Sequence, residues 1–165
     1  MRAAPAPVFD DVAAVSAHAA SRGASALVLA NGCFDPLHVG HIRYLEDARR
    51  HGDFLVVALN NDASTRLLKG RGRPVVEQAV RARLLAALAV VDAVLLFGDA
   101  TVERILEALR PAVHAKGTDY TAETVPEAAT ARRLGIRTVI TGDPKGHASR
   151  EIVARIRSTG RPESS

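Results

Sequence analysis

Two hydrophobic periods alternate along the chain. Continuous apolar runs occupy residues 26–30, 53–59, 93–97, 113–115 and 136–141. Each is short and bounded by turn residues, the pattern of a strand covered on both faces. Between them the apolar residues recur every three or four positions, as on a helix. Val8, Val12, Val15 and Ala19 mark a helix over 8–21 that Arg22-Gly23 ends, and Ile42, Leu45 and Ala48 mark one over 39–50. Val80, Leu84, Leu85, Leu88 and Val91 form the stripe of a helix over 77–90. Further helices are predicted at 101–110, stopped by Pro111, at 125–134, closed by Gly135, and at 149–157.

Strands alternating with helices predict an α/β fold, a Rossmann-like doubly wound parallel sheet with helices on both faces. Five strands suggest the order 3-2-1-4-5, with the switch point between strands one and four, where ligands bind outside the C-terminal strand ends. No repeat or low-complexity linker interrupts the core. The reading is one domain over 1–165, with 1–7 and 160–165 as disordered ends.

The stretch Asn31-Gly32-Cys33-Phe34-Asp35-Pro36-Leu37-His38-Val39-Gly40-His41 joins the first run to the helix after it. A strand-to-helix turn binds phosphate because free backbone N–H groups and the positive end of the helix dipole point the same way. Gly32 permits close backbone approach. His38 and His41, three apart, share a face of the first turn, and Gly40 leaves space beside them. Two such donors suit a polyphosphate and the charge that builds on a leaving group. Cys33 reads as a small turn residue, since a lone cysteine without a histidine partner is weak evidence for a nucleophile.

Elsewhere chemistry concentrates in loops. The second run ends in Asn60-Asn61-Asp62, where Asp62 reads either as the N-cap of a short helix through Leu68 or as a substrate contact. The basic loop 69–74 reads as a connector or as a mobile lid over an anion. Arg81 lies near a helix start, where a cation gains nothing from the dipole, which favours an anion-binding role. The fourth run ends in Lys116-Gly117-Thr118-Asp119-Tyr120, facing the His-x-Gly-His turn across the expected switch point.

Composition narrows the classes. The chain has 165 residues, 47% apolar and 24% charged, with aromatics at 4%, so its core is aliphatic. No apolar run approaches the roughly 20 residues of a membrane span, and 1–7 has no signal-like apolar region. One cysteine excludes an internal disulfide and fits a cytoplasmic protein. The formal charge of +4 suits anionic substrates, while the absence of an aromatic platform or a concentrated basic helix argues against nucleic acid. Lys69, Lys116 and Lys145 are the three lysines among 22 basic residues, and each precedes a glycine, as if placed as point charges for phosphates.

The Asn-Gly-Cys-Phe-Asp opening and its His-x-Gly-His pair resemble the nucleotidyltransferase superfamily with that hallmark, most closely its heptose-1-phosphate adenylyltransferase branch. Lys69-Gly70 with Arg73-Pro74, Arg81 with 85–88, Val91-Asp92, and Lys116-Gly117-x-Asp119-Tyr120 extend the resemblance over about 28–156. It implies transfer of a nucleoside monophosphate, AMP from ATP, to a sugar phosphate with release of pyrophosphate. It implies catalytic roles for His38, His41 and Lys69. Nucleotide contacts would come from Asn31, Gly32, Cys33, Phe34, Gly40, His41, Arg81, Lys116, Gly117, Asp119, Tyr120 and Ser149. Substrate contacts would come from Asp35, Asn60, Asp62, Lys69 and Arg81. Mg²⁺ would be held mainly through the nucleotide's phosphates, and the assembly would be a homodimer. Glycerol-3-phosphate cytidylyltransferase, FMN adenylyltransferase and a non-catalytic nucleotide-binding module are the alternatives. The sequence departs from the family where a Ser-Thr-Ser or Ser-Thr-Thr usually precedes the last helix: here stand His147-Ala148-Ser149-Arg150. Val80 also replaces a usual acidic residue, and Thr101-Val102 a usual Thr-Pro.

Overall fold

Every apolar run forms a strand, and one more strand precedes them. The computed structural model describes residues 4–144 and 149–159. Its strands are β1 (Val8–Phe9), β2 (Leu27–Gly32), β3 (Phe54–Asn60), β4 (Ala93–Phe97), β5 (Val113–Gly117) and β6 (Arg137–Thr141). The helices are α1 (Val12–Ser21), α2 (Val39–Arg49), α3 (Asp62–Lys69), α4 (Gln78–Ala86), α5 (Glu103–Leu109), α6 (Ala128–Arg133) and α7 (Ser149–Thr159). All strand pairs are parallel, in the order β1-β4-β3-β2-β5-β6.

The sheet therefore has six strands where five were expected, and the order 3-2-1-4-5 is corrected by a strand added at one edge. Residues 8–9 were expected to open a helix. The Asp11 side chain instead accepts from the N–H groups of Ala13 and Ala14, so the helix starts at Val12. Val8 and Phe9 are left extended and pair with Val94 and Leu95 on the open edge of β4. The chain just before them is tied in as well: Ala6 N–H donates to the Ala86 carbonyl at 2.8 Å, and Val94 N–H donates to that of Pro7 at 3.0 Å. Residues 6 and 7, expected to be part of a disordered end, are thus tied to the fold, while 1–3 and 160–165 lie outside the described residues.

Strand β3 explains the two-sided core, because all seven of its residues are buried. Leu55, Val57 and Leu59 pack with Leu45 of α2 and Leu85 of α4, while Phe54, Val56 and Ala58 pack with Val15 of α1 and Leu106 of α5. Each Val, Leu or Phe side chain among them contributes roughly 1.5–3 kcal/mol by leaving water. Helix α4 is shorter than the 77–90 expected, ending at Ala86. Among the described residues no helix is long and apolar enough to cross a membrane.

The feature that makes a site is a divergence. β2 pairs with β3 along its whole length, Leu27 to Gly32, but with β5 only from Val28–Val113 to Ala30–Ala115. Beyond that ladder, Asn31-Gly32 and Lys116-Gly117 lie on either side of the switch-point crevice.

Candidate active site

The His-x-Gly-His spacing has a local physical cause. His38 is the N-cap of α2, and its Nδ1 accepts from Gly40 N–H at 3.1 Å. His41, three residues on, turns its Nδ1 back to accept from His38 N–H at 3.3 Å. This is a capping box built from two imidazoles, which satisfies two N–H groups that a helix start leaves open. The rings stack with centroids 3.8 Å apart. Since each Nδ1 accepts, each neutral ring carries its proton on Nε2, so both histidines are hydrogen-bond donors at that atom. Burial, then the charges of His38 and Lys69, depress His41 to about 3, with Asp119 opposing. Lys69 at the end of α3 and Asp119 after β5 are thus within electrostatic reach of the pair.

Phe34 supports that arrangement. It is buried, its backbone is left-handed at φ 49°, and its ring meets His41 edge-on at 5.0 Å and stacks with Tyr44 at 6.4 Å. A non-glycine residue at positive φ costs on the order of 1–3 kcal/mol, and here the aromatic packing holds it there. A side chain on Gly32 would come to 3.2 Å from the Phe34 ring, so a larger residue there would have to push that ring aside. Tyr44 stitches the crevice floor: its hydroxyl donates to the Ala115 carbonyl at 2.8 Å and accepts from Asn31 N–H at 3.3 Å. Burial raises its phenol pKa well above the usual value.

Several residues named above as ligand contacts are engaged by protein hydrogen bonds. Asp35 is 2% exposed. Its carboxylate accepts from Arg73 Nε at 2.7 Å, from Val75 N–H at 2.8 Å and from Val76 N–H at 2.8 Å, while Arg73 also donates to its carbonyl. Burial opposes ionisation of this carboxyl, but Arg73 and the two amides outweigh it and hold the pKa below the ordinary value. The basic loop is thereby fastened to the β2–α2 turn. Arg81 is 1% exposed and donates to the carbonyls of Val76 (2.7 Å), Cys33 (2.6 Å) and Asn60 (2.9 Å) and to the Asp62 carboxylate at 2.7 Å. These partners offset its poor placement at a helix start, and it joins the turn, β3 and α4 at one point. Asp62 is not the N-cap: Asn61 is, accepting from Ser64 N–H at 2.9 Å, while Asp62 and Gln78 exchange hydrogen bonds at 2.8 Å. Asn60 is buried and donates to Ser64.

On the other side of the crevice, Lys116 is buried in β5 and not in an open loop. Its ammonium lies 3.5 Å from Glu127, 3.4 Å from Asn31 Oδ1 and 4.7 Å from the centre of the Tyr120 ring. Burial lowers its pKa, and Glu127 opposes that. Ser149 is the first residue of α7 and half-buried. Lys145, Gly146 and the departing His147-Ala148 lie outside the described residues. Arg73, Tyr44, His114 and Glu127 were missed as site-forming residues. The one available signal was polarity inside a buried strand, at His114.

The sequence model of a family described as cytidylyltransferase-like matches residues 29–159. The chain belongs to the cytidylyltransferase-like family. Among its curated relatives are proteins named bifunctional protein HldE. That of Geotalea uraniireducens is 45% identical over 150 residues, 91% of this chain and 30% of the relative. That of Streptomyces coelicolor is 46% identical over 149 residues, 90% of this chain and 32% of the relative. The chain thus spans about a third of the length of these relatives. Among solved structures it is similar to a lipopolysaccharide core biosynthesis protein of Thermoplasma volcanium (TM-score 0.62, 26% identity, 73% of this chain and 98% of that one). A pantothenate synthetase of Thermus thermophilus (TM-score 0.62, 19% identity, 93% and 70%) shares the fold.

Proposed function

We propose that this cytidylyltransferase-like chain transfers the adenylyl group of ATP to a sugar 1-phosphate, a heptose 1-phosphate, with release of pyrophosphate. The observation that carries the reading is the stacked His38–His41 capping box, two neutral Nε2–H donors at the N-terminus of α2. The sugar choice rests on the similarity to the HldE proteins and to the lipopolysaccharide core biosynthesis protein.

In such a transfer an oxygen of the sugar phosphate attacks the α-phosphorus in line, the bond to the β-phosphate oxygen breaks, and pyrophosphate leaves with the electron pair. No covalent enzyme intermediate is required. The protein contributes positioning and charge stabilisation. His38 and His41 donate to the triphosphate, and Lys69 adds a mobile ammonium from the α3 end. A polyphosphate arriving there accepts from the Nε2–H groups while each Nδ1 keeps its bond to the backbone, so developing charge on the leaving group meets neutral donors already fixed at the helix start. Asp35 and Asp62, the carboxylates beside the turn, are committed to Arg73, Arg81 and backbone amides. That donor set does not fit a protein-held cation, so Mg²⁺ would be carried by the nucleotide's own phosphates.

Pyrophosphate release with ATP and CTP against heptose 1-phosphate, glycerol 3-phosphate and FMN tests the reading. Turnover with ATP and heptose 1-phosphate is expected. Turnover with another pair would change the substrate and keep the mechanism, and triphosphate binding without turnover on any acceptor would overturn the enzyme assignment.

A further inference from the structure

Beneath the crevice lies a buried polar chain whose hydrogen-bond polarity can be worked out from one residue. Lys116 can only donate. The Asn31 atom 3.4 Å from its ammonium is therefore the amide oxygen, since the opposite orientation would set an NH₂ against an ammonium. The same oxygen lies 3.1 Å from His114 Nε2, so that nitrogen must also be a donor. His114 is fully buried and its Nδ1 has no hydrogen-bond partner among the described residues, as befits a neutral ring with its lone pair on that side. Burial, with Lys116 adding to it, depresses His114 to about 3.

Both lone pairs of the Asn31 oxygen are thereby taken from the β5 side. Its NH₂ group, on the other side of the amide carbon, has no partner among the described residues and is not sealed from solvent: His114 Nδ1 and Glu127 Oε2 are the buried side-chain atoms left without one. Asn31 sits where β2 and β5 part, immediately before Gly32 and the histidine turn. Glu127 closes the chain from α6, accepting from Val102 N–H at 3.3 Å and standing 3.5 Å from Lys116.

We infer that Asn31 donates its amide NH₂ to a phosphate oxygen of the nucleoside triphosphate, and that His114, Lys116 and Glu127 are positioning residues that hold its oxygen inward. The inference rests on the nucleotidyl-transfer reading above. Two outward N–H donors next to a glycine turn recognise an anionic oxygen, and a site whose amide were reversed would present an acceptor to phosphate and repel it.

Asn31→Asp separates this from a structural role. The inward oxygen survives, still accepting from His114 and Lys116, while the outward NH₂ becomes an anionic oxygen. Binding of inorganic tripolyphosphate and of adenosine is measured by calorimetry for both proteins, with the melting temperature alongside. Tripolyphosphate should bind the variant on the order of 10²-fold more weakly, the loss expected for a hydrogen bond to a charged group. The melting temperature should be unchanged or higher, and adenosine binding unchanged. Glu127→Gln should weaken tripolyphosphate less, and Glu127→Asp should restore part of it. Equal tripolyphosphate affinity in wild type and Asn31→Asp, or a fall of several degrees in melting temperature for that variant, would overturn the assignment of Asn31 alone. A wild-type protein that bound no tripolyphosphate would overturn the nucleotidyl-transfer reading with it.

Discussion

Replacing Asp35 by Asn tests whether this carboxylate fastens the basic loop. The change preserves shape and removes charge. The native carboxylate accepts from three donors, Arg73 Nε, Val75 N–H and Val76 N–H. An amide offers one oxygen to those donors and sets an NH₂ against at least one of them. Hydrogen bonds to a charged group are worth about 1.5–3 kcal/mol each, and breaking a buried pair costs about 3–5 kcal/mol. The Arg73 side chain is 11% exposed, so part of its stranded charge can reach water, which places the expected loss near the lower end, about 3 kcal/mol. A domain with about 5–15 kcal/mol of stability survives that. Urea unfolding should show a lower midpoint with an unchanged slope. The sign with pH follows from the depressed pKa. The unfolded carboxyl, near its ordinary value of about 3.9, binds protons that the folded one does not. The contribution is complete above that value and is lost as pH falls through the lower folded pKa, so the gap between wild type and variant should narrow in acid. A variant within about 0.5 kcal/mol of wild type at neutral pH, or a gap independent of pH, would refute the reasoning.

Other perturbations address other parts of the site. His41→Ala should lose on the order of 10²–10³ in turnover while remaining folded, by steady-state kinetics and circular dichroism, and near-normal turnover would remove His41 from the catalytic group. Arg81→Lys keeps the charge but cannot reach three carbonyls and a carboxylate together, so unfolding free energy should drop by about 2–3 kcal/mol, and a wild-type midpoint would contradict its role as a staple. His41 and His114 are both depressed to about 3 in the folded protein. Between there and the ordinary value near 6.5 the unfolded chain binds more protons, so stability should rise with pH over that window, by at most about 1.4 kcal/mol per pH unit for each ring. Substituting His114 by Gln should flatten that slope, and an unchanged slope would mean that His114 titrates normally.

Most of the sheet was legible because its signal is local and redundant. A run such as Leu55 to Leu59, apolar on both faces, has no amphipathic alternative, and the crossover rules then limit the strand order. β1 was not legible for a physical reason. Val8 and Phe9 fit the helical stripe of Val12 and Val15, and the Asp11 cap that cuts them off competes with that stripe within four residues. Only the open edge of β4, which no local pattern reveals, decides what the two freed residues do.

The site divides along the same line. The histidine pair spans four residues, so its spacing and shared helical turn could be read from the sequence, while the mutual capping through Nδ1 emerged only in the fold. The ties that hold it cross long separations: Asp35 to Arg73 spans 38 residues, Cys33 to Arg81 spans 48, and Asn31 to Lys116 spans 85. From the sequence, Asp35 beside two histidines looks like a ligand and Arg81 like a phosphate contact, since both are charged residues in a chemically rich region. In the fold both are buried among protein partners. A guanidinium with four protein acceptors has little left to offer a substrate, and a carboxylate between an arginine and two amides is not a free ligand. The same logic runs the other way for Asn31, a neutral residue whose inward oxygen is saturated and whose outward nitrogen is not. The charge that meets the phosphates then comes from Lys69, beside two imidazole donors, while the buried charges fix the geometry in which they meet it.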